Sequence, residues 1–95
     1  MDLARAKAQT MSDHDVERRI VEILIAELKL ENVTAEGFDP RLDLVDELGI
    51  DSMDLTTVAL VLQDEFRVTI DEDDYARLKN VRAIREYIRS RRAGA

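Results

Sequence analysis

Apolar residues recur at helical spacing three times along this 95-residue chain, and between those stretches the pattern collapses. Val16, Ile20, Ile23, Leu24 and Leu28 stand three or four residues apart, the stripe of an amphipathic helix. Ser12 and Asp15, three residues on, form a capping-box start, so the spacing predicts a first helix over about 13–29. From Glu31 to Ile50 the periodicity fails. Asn32, Gly37, the Asp39-Pro40 pair and Gly49 are turn and breaker signals, with Val33, Phe38, Leu42, Leu44 and Leu48 as apolar anchors. This reads as a long loop with room for one short turn, and a loop of that length inside a compact domain is itself a functional clue.

Periodicity resumes at Asp51-Ser52, where either side chain is able to cap exposed amides and Asp54 suits the first turn. The helix they open should end near Phe66. At about 100° per residue, Leu55, Val58, Ala59, Leu62 and Phe66 share one sector, the expected core face. Met53 and Leu60 fall almost opposite, beside Thr56, Thr57 and Asp64. Two large apolar side chains on the outer face of an acidic helix fit a contact surface, although single exposed apolar residues are common. Beyond Val68 and Ile70, the acids Asp71 to Asp74 precede Tyr75 and Leu78 and predict a short acid-started helix of about two turns. Asn80 then caps a final helix over about 81–91 whose Val81, Ile84, Tyr87 and Ile88 make one face. The expected fold is all-α: a small four-helix bundle of three main helices and one short one, with a long loop between the first two. Residues 1–11 are Ala-rich and weakly patterned, an expected flexible extension; 12–92 form the domain and 93–95 a tail.

Composition narrows the chemistry. With 45% hydrophobic residues but only two Phe, two Tyr and no Trp, the core has to be aliphatic. The absence of Cys excludes disulfides, thiolate metal sites and cysteine nucleophiles, and a single His excludes a multi-histidine metal site. Lys and Arg number 14 against 21 Asp and Glu, a net charge of −7, and the charge is uneven. Residues 21–80 carry 16 acids against five bases, whereas residues 81–95 carry one acid against five. An acidic body argues against nucleic acid, which needs a cationic footprint. The basic end, Arg82, Arg85, Arg89, Arg91 and Arg92, reads as the solvated face and C-terminal dipole complement of the last helix. No apolar run approaches the roughly 18 residues of a membrane span, so the expectation is a soluble, cytoplasmic monomer.

Few residues invite catalysis. The run 71–74 lacks the glycine of a calcium loop. His14 sits at a helix start, and no G-x-S-x-G surrounds Ser52. Asp43, Asp46, Glu47, Asp51 and Asp54 read as a solvated recognition surface rather than as paired catalytic carboxylates, because a small aliphatic bundle offers no deep cleft to raise their pKa. Ser52 stands apart. Gly49 precedes it with little bulk, and a helix N-terminus favours a phosphate anion on the hydroxyl.

The stretch Leu48-Gly49-Ile50-Asp51-Ser52-Met53-Asp54 resembles the attachment motif of acyl carrier proteins. The likeness extends to Val45-Asp46-Glu47, to Leu62-Gln63-Asp64-Glu65-Phe66, to Ile70-Asp71-Glu72-Asp73-Asp74, to Leu78-Lys79-Asn80-Val81 and to Ile84-Arg85-Glu86-Tyr87-Ile88, and so spans about residues 13–90. The resemblance implies a 4'-phosphopantetheine arm on Ser52, transferred from coenzyme A by a magnesium-dependent phosphopantetheinyl transferase whose metal Asp51 helps to hold. It implies a shuttle without a catalytic site or metal of its own, which meets acyl-loading and acyl-transferring or condensing enzymes, with Met53 and Asp54 at first-turn positions that partners read; the helical wheel adds Thr56, Thr57, Leu60 and Asp64 to that expected partner face. Leu48, Leu55, Val58, Ala59, Leu62, Phe66, Tyr75 and Leu78 are the expected acyl pocket. The sequence departs from many fatty-acid carriers at Thr56 and Thr57, in place of an apolar residue and a Glu, at Asp71, in place of a Pro, and at Ala76, in place of an acid. Those departures weaken the typical recognition surface, so the expectation includes a specialised carrier for a dedicated lipid, polyketide or amino-acyl pathway beside fatty-acid synthesis. A peptidyl or aminoacyl carrier, or an unmodified acidic interaction domain with Ser52 as a mere cap, are the alternative readings.

Overall fold

The computed structural model describes residues 12–93, and the extension expected over residues 1–11 lies outside them. Three long helices form as the periodicity requires: α1 (Asp13–Leu28), α3 (Ser52–Phe66) and α4 (Val81–Ala93). Between α1 and α3 lies α2 (Leu44–Leu48), and a 3-10 helix (Glu72–Arg77) precedes α4. The fold is all-α. Two details sharpen the sequence reading. The short turn in the long connection is a five-residue helix, and the acid-started two-turn helix is wound as 3-10. Both are too short for apolar periodicity to declare.

Local chemistry sets the boundaries. Ser12 accepts from the Asp15 amide at 3.2 Å and starts α1, and Asn80 accepts from the Ala83 amide at 2.7 Å and starts α4. The Asp43 carboxylate accepts from the Asp46 amide at 2.8 Å, which gives even the five-residue α2 a capped start. Lys29 (φ 54°) and Arg67 (φ 56°) end α1 and α3 in the left-handed region and donate their amides back to Ile25 and Gln63.

The core is almost entirely aliphatic. Ile20 and Leu24 of α1, Leu62 of α3, and Val81, Ile84 and Ile88 of α4 are sealed from solvent together with Leu44 and Leu78. α1 is the shared partner, packing on both α3 and α4. The long connection is fastened at two backbone points, Leu44 N to Lys79 O and Arg82 N to Pro40 O, both 2.9 Å. The second gives a first-turn amide of α4 an acceptor its own helix cannot supply.

Ion pairs reinforce the same contacts, and here the basic end of the chain does more than face solvent. Arg85 and Glu17, each about 15% exposed, join α4 to α1 at 2.6 Å. Arg89 reaches Asp13 at 2.8 Å. Arg19 forks onto both Glu65 oxygens at 2.9 and 3.0 Å and joins α1 to α3. Arg91 bonds Asp71 and Asp74 of the 3-10 segment at 2.9 and 3.1 Å, while the buried Tyr87 hydroxyl donates to Asp74 at 2.7 Å. Arg91 and Arg77 also lie over the Tyr87 ring. This cluster pins the 3-10 helix to α4.

Two expectations follow from the packing. Leu62→Ala should cost about 2–5 kcal/mol in urea unfolding, while Leu60→Ala, 59% exposed on the same helix, should stay within about 0.5 kcal/mol. The second concerns acid. The Tyr87 hydroxyl, aided by Arg91, holds the Asp74 carboxyl below the usual carboxylate range. A depressed folded pKa gives a contribution that is complete above the unfolded value of about 4 and disappears as pH falls through the folded value. Tyr87→Phe should therefore lower stability at neutral pH and flatten its loss below about pH 4, as read from melting curves at stepped pH.

Candidate functional site

The start of α3 divides its labour between two adjacent residues. Asp51 is extended (φ −97°, ψ −179°) and its Oδ1 accepts from the Asp54 amide at 2.8 Å, which makes it the N-cap. Ser52 is thereby the first helical residue. Its exposed hydroxyl has no hydrogen-bond partner among the described residues. The sequence left the capping role open between the two, and the structure gives it to Asp51. Gly49 closes α2 at φ +68° with its amide directed to the carbonyls of Leu44 and Val45. Space beside it is open, so a side chain there would meet no atom, and the left-handed turn is what demands glycine.

Below Ser52 the two threonines turn inward on their own helix. Thr56 Oγ1 donates to the Ser52 carbonyl at 2.8 Å, and Thr57 Oγ1 donates to the Met53 carbonyl at 3.2 Å. Both hydroxyls are thus bound to the first turn of α3. Met53 is 78% exposed and Leu60 59%, on the side away from the core, with Asp64 exposed, Asp54 and Thr56 half-buried and Thr57 exposed. The sequence did not single out Val45 of α2, which is exposed between the acids Asp43, Asp46 and Glu47. Its only signal was one apolar residue in a helix too short to show a face. Of the eight expected acyl-pocket residues, Val58, Ala59, Leu62, Phe66 and Leu78 are buried in the core. Leu48, Leu55 and Tyr75 pack half-buried against it. His14 is exposed at the start of α1 and bonds no serine among the described residues. No group of three His, Asp or Glu side chains there is placed to hold a metal ion.

Ser52 is thus an exposed serine at a helix start that its neighbour already caps, and a family model described as the phosphopantetheine attachment site matches residues 18–88. The chain belongs to the acyl carrier protein family, and its prosthetic group is 4'-phosphopantetheine. It is 34% identical over 73 residues to the acyl carrier protein of Nitratidesulfovibrio vulgaris (strain DP4), a match covering 77% of this chain and 92% of that one. With the acyl carrier protein of Desulforapulum autotrophicum the identity is 38% over 71 residues, covering 75% and 91%. The solution structure of a candidate acyl carrier protein from Anaplasma phagocytophilum superposes with a TM-score of 0.72 at 25% identity, covering 84% of this chain and 91% of that one. No described helix is long and apolar enough to cross a membrane.

The capping assignment has a direct consequence for stability. Asp51→Ala should cost about 1 kcal/mol by removing the acceptor of the Asp54 amide, whereas Ser52→Ala should change unfolding free energy by no more than about 0.5 kcal/mol. Urea titrations of the two variants distinguish them.

Proposed function

We propose that Ser52 carries the phosphopantetheine arm and that the chain shuttles acyl groups between enzymes of fatty-acid synthesis or of a related lipid or polyketide pathway. The observation that supports this most is the free Ser52 hydroxyl at a helix start that Asp51 already caps. An arm can be added there without taking a hydrogen bond from the fold. When bound, the group supplies a terminal thiol that holds an acyl group as a thioester, chemistry absent from a chain without cysteine. The helix N-terminus favours the phosphate charge. Asp51 spends Oδ1 on the cap and leaves Oδ2 for the transferase's metal ion. On this reading the chain is handled by other enzymes and performs no catalysis itself.

Partners would dock on the outer face of α3. Met53 and Leu60 give it apolar anchors, and Asp51, Asp54 and Asp64 surround them with negative charge beside Thr56 and Thr57. A basic patch around an apolar centre is the complementary surface. Its attraction should fall with salt, because exposed charges are screened beyond about 8 Å at physiological ionic strength.

Long acyl chains would enter the interior between α3 and the later elements, among Leu48, Leu55, Val58, Ala59, Leu62, Phe66, Tyr75 and Leu78. Six buried methylenes contribute up to about 5 kcal/mol, more than the roughly 1–3 kcal/mol of strain expected when a packed core is forced apart.

Incubation with coenzyme A and a broad-specificity transferase, followed by intact mass measurement, tests the reading. The native chain should gain one phosphopantetheinyl group and Ser52→Ala none. Met53→Ala and Leu60→Ala should slow the reaction about five- to tenfold with the fold intact by circular dichroism. An adduct that persists on Ser52→Ala would sink the attachment site, and unchanged rates in both surface variants would sink the docking face.

A further inference from the structure

Three large apolar side chains are exposed among the described residues: Val45 at 52%, Met53 at 78% and Leu60 at 59%. The last two stand on α3, whereas Val45 stands on α2, on the other side of Ser52 in the chain. A single exposed apolar residue is ordinary, but the local structure holds this one in place. Leu44 beside it is 1% exposed, and its amide donates to the Lys79 carbonyl at 2.9 Å, which fastens α2 to the body of the domain. The Asp43 cap and the left-handed Gly49 close the two ends of the element. Val45, Asp46 and Glu47 are thereby its outer residues, one apolar side chain beside two exposed carboxylates, and Val45 takes no part in the core.

The turn that closes α2 also sets its distance from Ser52. The Gly49 amide donates to the Val45 carbonyl at 3.0 Å and the Ile50 amide to the Leu44 carbonyl at 3.4 Å, so the chain folds back on α2 just before α3 begins. Even fully extended, the three steps from Gly49 leave Ser52 no more than about 16 Å from the Val45 carbonyl. An enzyme that builds a bond to the Ser52 hydroxyl has to centre its contact there. A standard interface buries about 800 Å² on each partner, a disc about 16 Å in radius, so α2 falls beneath it. An enzyme that acts at the far end of the arm is under no such requirement, because the arm carries the reacting group away from Ser52.

We infer that Val45, with Asp46 and Glu47, is a second contact patch for the enzyme that attaches the arm, which meets it with an apolar pocket rimmed by basic side chains. The inference rests on the carrier reading with Ser52 as its attachment point. In the attachment step Ser52 Oγ bonds to the coenzyme A phosphorus nearer the pantetheine. The bond from that phosphorus to the bridging oxygen breaks, adenosine 3',5'-bisphosphate leaves with the electron pair, and the hydroxyl proton passes to a base of the transferase. Val45 touches none of these atoms. A residue that only holds the two proteins together strengthens ground state and transition state alike, so its loss falls on KM and spares kcat.

Phosphopantetheinylation of the native chain, Val45→Ala and Val45→Lys over a range of carrier concentrations, read by intact mass, tests the patch. Val45→Ala should raise KM about five- to tenfold and leave kcat within about twofold. Val45→Lys should raise KM further, since a cation there opposes the basic rim. Melting temperatures should stay within a few degrees of the native chain, because the side chain lies outside the core; should Val45→Lys melt earlier, Val45→Ala alone decides. Each variant, loaded to completion with the arm, is then charged from acyl-coenzyme A by an acyl-loading enzyme, and that rate should remain near the native one. A native KM in both variants would overturn the patch while leaving the carrier reading intact, and equal losses in attachment and acyl loading would overturn its assignment to the attaching enzyme. A native chain that gains no arm would overturn the carrier reading and this inference with it.

Discussion

The apolar stripe of α1 is the constraint on which the rest of the domain depends. Ile20 and Leu24 are fully buried, and α1 packs on both α3 and α4, so the two later helices are positioned through a common partner. Charged residues follow the same plan. Arg19 secures α3 through Glu65, and Glu17 and Asp13 secure α4 through Arg85 and Arg89. Exposed pairs of this kind contribute little singly. The Glu17–Arg85 pair is mostly shielded from water, and its loss would leave Arg85 half-buried with an Nε that already lacks a partner.

With α3 fixed along its length by Val58, Ala59, Leu62 and Phe66, its first turn is free to serve as a site. Structure there is carried by groups other than the reactive one: Asp51 caps, Gly49 supplies the turn, and Thr56 and Thr57 bond the carbonyls of Ser52 and Met53. A serine with no structural duty can be modified without altering the fold.

Much of this was legible in the sequence. The three long helices follow from apolar residues three and four apart, and their starts from Ser12, Asp51-Ser52 and Asn80, because capping is local chemistry that depends on a few neighbouring residues. The opposition of Met53 and Leu60 to the core followed from the helical angle alone. What stayed hidden depends on distant partners or on elements shorter than a helical repeat. α2 has five residues and shows no face, so the exposure of Val45 could not be read. Single-turn geometry separates the 3-10 helix from an α-helix. The C-terminal arginines looked like a solvated face because their partners, Glu17, Asp13, Asp71 and Asp74, lie elsewhere in the sequence.

The central claim is that Ser52 bears the arm while Asp51 keeps the helix closed above it. Phosphorus–proton correlation NMR on the phosphopantetheinylated chain, recorded with amide exchange on the same sample, tests both halves at once. The account predicts a through-bond correlation from phosphorus to the Ser52 β protons and an Asp54 amide as protected as in the unmodified chain. A correlation to any other hydroxyl residue, or an Asp54 amide that loses protection on modification, would contradict it.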